Sequence, residues 1–269
     1  MDIHVRFTTE TDVNILKHIW KVCFDDPDTY IRFFFTNCFN PQNAVVACVD
    51  NKPVGVIHLL PAKLGEQRFL YGYAIGVLPE FRGNNICQIM HDFVARYAER
   101  ENAVYGLHPA NEKLFSFYHR IGLSDMYSLR LFDASELSQE ETFLQQDIEV
   151  AEYYRMRNEV FAPLVCWEED MLAYILKEAK HFGGFAKKIT LTDGERILFG
   201  RTVNDTVYIK ETTMSDEEIL RTGGYLKKLF GATSLHFLLP NSSSLGKETT
   251  TVLGFGEKDP SVYMNLFLD

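Results

Sequence analysis

Two short stretches carry residue types that can do chemistry. The first is Arg82-Gly-Asn-Asn-Ile-Cys87, a polar turn containing a glycine. It follows the apolar run Tyr71-Gly-Tyr-Ala-Ile-Gly-Val77, which reads as a buried strand ended by Leu78-Pro79-Glu80-Phe81. It precedes a segment with apolar residues at helical spacing: Ile86, Ile89, Met90, Phe93, Val94 and Tyr97. A turn that ends a strand and opens a helix points backbone N–H groups outward. With the positive end of the helix dipole, those donors form an anion site. Arg82 adds a fixed charge whose donors match phosphate oxygens. Taken alone, the turn reads equally well as an ordinary loop with a surface arginine. The second stretch is Asn111-x-x-Leu-x-x-Phe117-Tyr118-x-Arg120-x-Gly122-Leu123. It follows a strand at Ala103–Leu107 that His108-Pro109 stops, and it reads as a short helix closed by Gly122.

In this order, Val77-x-Pro79-x-x-Arg82-Gly83-x-x-x-Cys87 and the Asn111–Leu123 pattern resemble the acyl-CoA-dependent N-acetyltransferase superfamily abbreviated GNAT, over about residues 3 to 130. The resemblance implies roles for particular residues. Ile75, Gly76 and Val77 would present backbone groups to the pantetheine arm and the thioester carbonyl. Arg82, Gly83, Asn84, Asn85, Ile86, Cys87 and Gln88 would cradle the pyrophosphate of coenzyme A. Asn111 would contact the cofactor arm, and Tyr118 would return a proton to the leaving thiolate. A phenol suits that last role, because its unperturbed pKa near 10 keeps it protonated at neutral pH. The chain departs from the family pattern Arg/Gln-x-x-Gly-x-Gly/Ala at Asn85 and Cys87. Asparagine tolerates left-handed backbone angles and cysteine is small, so the loop can still form. Leu114 stands where alanine is usual. The place of Cys87 in this loop, remote from the sulfur, points to packing and not to a covalent relay.

The expected activity is transfer of an acetyl or other short acyl group from acetyl-CoA to a primary amine by direct attack, with no metal. The alternative is a non-catalytic GNAT-fold protein that holds acyl-CoA or a protein partner. An ammonium acceptor must first lose a proton, yet the strand before Arg82 has no carboxylate. Its polar members are Gln67, Tyr71 and Tyr73, and Glu80 reads as a surface residue. The chain also resembles the two-domain enhanced intracellular survival subfamily, in which a chain-terminal carboxylate serves as base. That likeness implies the same role for Asp269, which follows the apolar run Met264–Leu268. Asp25, Asp26 and Tyr73 are the candidate residues on the acceptor side. The run Asp25-Asp26-Pro27-Asp28 more often reads as a helix stop followed by a helix start. His58 is either a base facing the acceptor or a hydrogen-bonded core histidine.

Composition bounds these readings. A chain of 269 residues suffices for two ordinary domains. The net charge of −10 argues against nucleic acid and mildly favours a cationic acceptor. No apolar run reaches the roughly 20 residues of a membrane helix. Five scattered cysteines without a Cys-x-x-Cys pair read as reduced thiols of a cytoplasmic protein. Oligomeric state and the acceptor itself are left open.

The elements that must position these residues follow from the pattern. Ile3–Phe7 is a first strand. Leu16, Ile19, Trp20, Cys23 and Phe24 form one helical face, and a second helix begins near Tyr30. Strands at Asn43–Val49 and Val54–Leu60 are joined by the turn Asp50-Asn51-Lys52. Residues 124–150 are expected to be a connector, with the domain boundary at 133–150. The second half repeats the order: helices at 153–161 and 168–181, and strands at 185–191, 196–203 and 206–212. Next come a helix capped by Ser215-x-x-Glu218, a strand at 234–239 and a last strand at 262–268. In this repeat, Leu253-Gly254-Phe255 would correspond to Ile121-Gly122-Leu123. Where Arg82-Gly83 should recur stands Ser215-Asp216-Glu217, which repels a pyrophosphate. The expected fold is α/β (α+β): tandem GNAT-like domains, each a twisted, mainly antiparallel mixed sheet flanked by helices. Residues 1–132 would form the catalytic domain and 151–269 a degenerate copy without the cofactor motif.

Overall fold

Apolar runs separated by turn-forming pairs build the first sheet. β1 (Ile3–Phe7) pairs with β2 (Ala44–Val49), β2 with β3 (Lys52–Leu64), and β3 with β4 (Gln67–Val77), all antiparallel. Asp50 and Asn51 take φ of 48° and 65° and close the β2–β3 hairpin with Val49 opposite Lys52, the backbone sense that a two-residue turn requires. Helices α1 (Val13–Phe24) and α2 (Asp28–Asn37) lie between β1 and β2 in the chain. Helix α3 (Ile86–Arg100) carries the chain to β5 (Val104–Leu107), which runs parallel to β4. Helix α4 (Glu112–Arg120) follows. Leu16, Ile19, Val46, Ile57, Met90 and Tyr105 are among the buried residues of this core.

The structure is a computed structural model that describes residues 2–134, 137–256, 258–266 and 268. Two compact units divide the chain: residues 1–125 with 253–257, and residues 126–252 with 258–269. In the first unit, residues 253–255 pair antiparallel with β5. The second unit holds most of β6 (Ser124–Ala134), then β7 (Leu144–Asp147), α5 (Val150–Val160), β8 (Val165–Trp167), α6 (Glu169–His181), β9 (Gly184–Leu191), β10 (Gly194–Val203) and β11 (Thr206–Thr212). These are followed by α7 (Asp216–Phe230), β12 (Ser234–Leu239) and the first part of β13 (Lys247–Phe255). Its strand order is β13-β6-β12-β11-β10-β9-β7, with β11 and β12 parallel. The fold class is mixed α/β, mainly antiparallel in each unit, as expected. Among the described residues, no helix is long and apolar enough to cross a membrane.

Three expectations are corrected. The connector at 124–150 contains two strands: β6 pairs with β12, and β7 pairs with β9. Leu253-Gly254-Phe255 is not a turn like Ile121-Gly122-Leu123. Gly122 takes φ of 98° before β6, whereas Gly254 lies inside β13 opposite Gly106. The described residues of the tail at 262–268 form no strand of the sheet. Among them one bridge joins Tyr263 to Leu164, and side-chain contacts add to it. The Tyr263 ring stacks on Phe161 with centroids 4.1 Å apart, and Trp167 donates to the Asn265 carbonyl at 2.9 Å. The Tyr263 hydroxyl donates to Glu211 at 3.0 Å. Glu211 also accepts from Tyr153 and from Arg157 Nε, all within a fully buried cluster.

Candidate active site

β4 pairs with β5 only from Phe69 to Gly72. β5 stops at Leu107, ahead of His108 and Pro109, while β4 continues to Val77. Residues 73–77 therefore have β3 on one side and an open edge on the other, with Ile75, Gly76 and Val77 at its end. Backbone groups along such an edge can bond an extended ligand. The ladder to β3 also slips here. His58 faces Tyr73 and Val56 faces Gly76, so Ile57 is opposite both Ala74 and Ile75. Ala74 takes φ of 44°, a left-handed conformation that costs a non-glycine residue roughly 1–2 kcal/mol. A bulge of this kind bends a strand and re-aims its backbone.

The loop after β4 has the form an anion needs. Arg82, Gly83, Asn84 and Asn85 are exposed, and Arg82 Nε donates to the Val77 carbonyl at 2.9 Å, tying the loop to the strand end. Asn84 donates to the Phe81 carbonyl at 3.1 Å. Asn85 takes φ of 59°, the left-handed angle that a glycine would supply, and Gly83 takes φ of 83°. The Asn85 side chain makes no cap bond at the start of α3, and the first N–H groups of a helix, here at Ile86, Cys87 and Gln88, have no partner within the helix. These features fit the pyrophosphate that the resemblance implies. Asn111 caps α4, accepting from Leu114 N–H at 3.1 Å.

Tyr118 lies in the core, 5% exposed, and burial pushes its phenol well above the ordinary range. Its ring is 5.4 Å from that of His91, which in turn is 5.8 Å from Tyr105. Burial pushes the Cys87 thiol up to about 12, and its sulfur lies 3.7 Å from His91 Nδ1, so it is an inert packing group. His91 and Tyr105 were not picked out from sequence. The available signal was the Cys87–His91 spacing of four on the inward face of α3.

The candidate acceptor-side residues are engaged within the fold. Asp25 is the left-handed C-cap of α1 and pairs with Lys21 at 2.9 Å. Asp26 accepts from Trp20 Nε1 at 2.7 Å. The Tyr73 hydroxyl bonds that of Tyr30 at 2.9 Å. The acidic run is thus a helix stop and a start, as its second reading had it. His58 sits among Trp20, Phe34, Phe35 and Phe39, with burial pushing it down to about 4 against the nearby carbonyls of Tyr73 and Ala74. It is a neutral core histidine. Glu80 is exposed. Asp269 lies outside the described residues.

The second unit repeats the divergence of strands. β11 pairs with β12 only through Ile209 and continues to Thr212. A cavity of about 870 Å³ lies beyond, lined by Thr213, Met214, Asp216, Glu217, Glu218 and Leu239, among others. Its helix start is filled by the chain's own groups. Ser215 and Glu218 form a capping box on α7. Asp216 accepts from Ser243, and from the Ser244 backbone and hydroxyl. Burial works against the Asp216 charge, but these bonds hold its carboxyl below the usual range. A pyrophosphate does not fit here.

Comparison with known proteins agrees with this geometry. Residues 4–125 match the family model described as an acetyltransferase (GNAT) domain. No curated protein matches the chain in sequence. Solved structures share its fold at low identity. A probable N-acyltransferase from Enterococcus faecalis is 13% identical, with a TM-score of 0.68 over 94% of this chain and 72% of its own. A GCN5-related N-acetyltransferase from Anabaena variabilis is 13% identical, with a TM-score of 0.66 over the same shares. Eis1 from Mycobacterium abscessus is 12% identical, with a TM-score of 0.65 over 93% of this chain and 72% of its own. Residues 4–125 therefore match the GNAT acetyltransferase domain, and the chain as a whole shares the fold of these N-acetyltransferase structures.

Proposed function

We propose that the protein transfers an acetyl or other short acyl group from acetyl-CoA to a primary amine. The observation that carries this reading is the open β4 edge leading directly into an uncapped, arginine-bearing start of α3. Ile75, Gly76 and Val77 would bond the pantetheine arm and polarise the thioester carbonyl through backbone groups. Arg82 through Gln88 would hold the pyrophosphate, and Asn111 would stand beside the arm. Bound acetyl-CoA supplies a thioester open to attack by an uncharged amine. Tyr118 gives its proton to the departing sulfur, and the fold contributes mainly positioning and a preset polar environment. Residues 151–269 read as a degenerate copy of the domain. The repeated divergence of β11 and β12 and the acidic start of α7, which would repel a pyrophosphate, support this reading. The net charge of −10 favours a cationic acceptor.

Calorimetric titration of acetyl-CoA into the wild type and Arg82→Ala tests the cofactor site. The variant should lose about 1.5–3 kcal/mol, the size of a charge-assisted contact. Absence of any binding by the wild type would remove the enzyme reading and leave a partner-binding GNAT fold. Release of thiol from acetyl-CoA with a panel of polyamines, aminoglycosides, amino acids and lysine peptides tests the reaction. Turnover should depend on Tyr118, falling in Tyr118→Phe.

A further inference from the structure

We propose that His91 and Tyr105 hold one buried water against Tyr118, and that this water aims the Tyr118 proton at the thioester sulfur. The proposal rests on the acetyl-transfer reading above and adds two positioning residues to it.

The argument starts from one hydrogen bond. His91 Nδ1 lies 2.8 Å from the Cys87 carbonyl oxygen. A carbonyl only accepts, so Nδ1 carries the proton. The ring is neutral, and its Nε2 is then a bare acceptor. Among the described residues Nε2 is buried with no partner, and so is the Tyr105 hydroxyl; both residues are 0% exposed. An orphaned acceptor and an orphaned donor each cost about 1–3 kcal/mol. Their ring centroids are 5.8 Å apart, and a single buried water bonded to both is the partner we infer.

The place of the pair is as telling as its chemistry. A Cβ added at Gly72 would lie 2.5 Å from the Tyr105 hydroxyl oxygen, so that hydroxyl rests against the β4 backbone. Gly72 is the last β4 residue paired with β5. The orphaned groups therefore sit at the vertex where the two strands part. Tyr118 closes the cluster, with its ring 5.4 Å from His91.

In the arrangement we infer, the water accepts from Tyr105 and donates to His91 Nε2. Its second hydrogen goes to the Tyr118 oxygen, which leaves the Tyr118 O–H to be directed at the thioester sulfur. When the C–S bond of the tetrahedral intermediate breaks, its electron pair goes to sulfur. The Tyr118 proton follows and an S–H bond forms. The water's hydrogen bond steadies the resulting phenolate, which takes up the proton shed by the new amide nitrogen. Atoms and charge balance without another reactant. Such a donor also offsets the burial that makes Tyr118 a reluctant acid.

The test measures thiol release from acetyl-CoA, with the best amine of the panel, in five variants: Tyr118→Phe, Tyr105→Phe, His91→Leu, His91→Gln and the Tyr105→Phe/Tyr118→Phe pair. Tyr105→Phe and His91→Leu should each lower kcat roughly 10- to 100-fold. The KM and calorimetric Kd for acetyl-CoA should stay within about twofold, since these groups act on the transition state alone. His91→Gln keeps an acceptor and should retain more activity than His91→Leu. Adding Tyr105→Phe to Tyr118→Phe should cost nothing further, because residues acting as a unit are not additive. A second readout needs no turnover: the Nε2 nitrogen resonance of His91 in the ligand-free protein should move in Tyr105→Phe. If Tyr118→Phe is impaired while Tyr105→Phe and His91→Leu turn over at the wild-type rate, the water proposal alone is overturned. If Tyr118→Phe is unimpaired, or the wild type acetylates no amine, the underlying reading fails and the proposal falls with it.

Discussion

Asn85 shows how one backbone angle decides whether a loop can serve. The family places glycine there, and this chain reaches φ of 59° with an asparagine. Asparagine visits that region because its short polar side chain tolerates it, whereas a β-branched residue does not. Asn85→Gly should therefore fold within about 0.5 kcal/mol of the wild type and keep its acetyl-CoA affinity. Asn85→Val should cost roughly 1–2 kcal/mol of stability and weaken binding. Urea denaturation and calorimetry read both effects. His58 and His91 give a second prediction at this scale. Burial pushes each down to about 4 in the folded chain, from the 6.5 of an unfolded one. Between these values the unfolded chain binds the extra protons. The stability tied to the neutral rings is therefore complete above pH 6.5 and is lost as pH falls toward 4. The slope is at most about 1.4 kcal/mol per pH unit for each histidine. The Asp12 carboxyl, held down to about 2 by Arg6, acts in a lower window, its contribution fading only below about pH 4. Urea midpoints between pH 7.5 and 4.5 should fall, and His91→Leu should make the fall shallower. An unchanged slope in that variant would show that His91 is not the group responsible.

Elements were legible where their signals are local. The turn at Asp50-Asn51, the helix starting after Asn85 and the capping box Ser215-x-x-Glu218 all read directly from neighbouring residues. β13 did not, because its partner β5 lies far back in the chain and its first half, Lys247-Glu-Thr-Thr, has no apolar alternation. The tail at 262–268 misled for the opposite reason. Val262, Tyr263, Met264, Leu266 and Leu268 are buried, but the Tyr263 hydroxyl on Glu211 and the Asn265 amide on the Lys210 carbonyl tie them down through side chains, not through a ladder. The site shows the same division. The loop and Tyr118 were singled out by motifs that lie together in the sequence and resemble the family's, whereas the contact of His91 with Tyr105 depends on two elements meeting in space. The α7 cap offers a direct check of what the second unit does. Ser215→Ala removes the bond to Glu218 N–H and should cost about 1 kcal/mol. It should leave the acetyl-CoA affinity unchanged. A loss of that affinity would mean that α7 contributes to the cofactor site after all.

The whole chain is needed to finish its first unit. The polypeptide leaves that unit after Asp125 and returns for residues 253–257 before leaving again. In those few residues Leu253 is fully buried opposite Leu107, and Phe255 stacks on Tyr105 with centroids 5.9 Å apart. A fragment ending at residue 132, where the sequence placed the end of the first domain, therefore lacks the strand that covers β5. Leu253 is fully buried and contributes about 1.5–3 kcal/mol, to which the partly buried Phe255 adds a smaller amount, a sizeable share of the roughly 5–15 kcal/mol that holds an ordinary domain together. The fragment also exposes the N–H and C=O row of β5, an edge open to pairing with other chains. Residues 1–132 expressed alone should thus be unstable or aggregate, although they contain every residue of the proposed cofactor loop. Adding residues 250–257 as a separate peptide should restore part of the lost stability, because a segment that binds only the folded form shifts the equilibrium toward it. Thermal denaturation of the fragment with and without that peptide decides the point. A cooperative melt of the bare fragment at the temperature of the full chain would show that β13 is dispensable, and that the first unit ends where its motifs do.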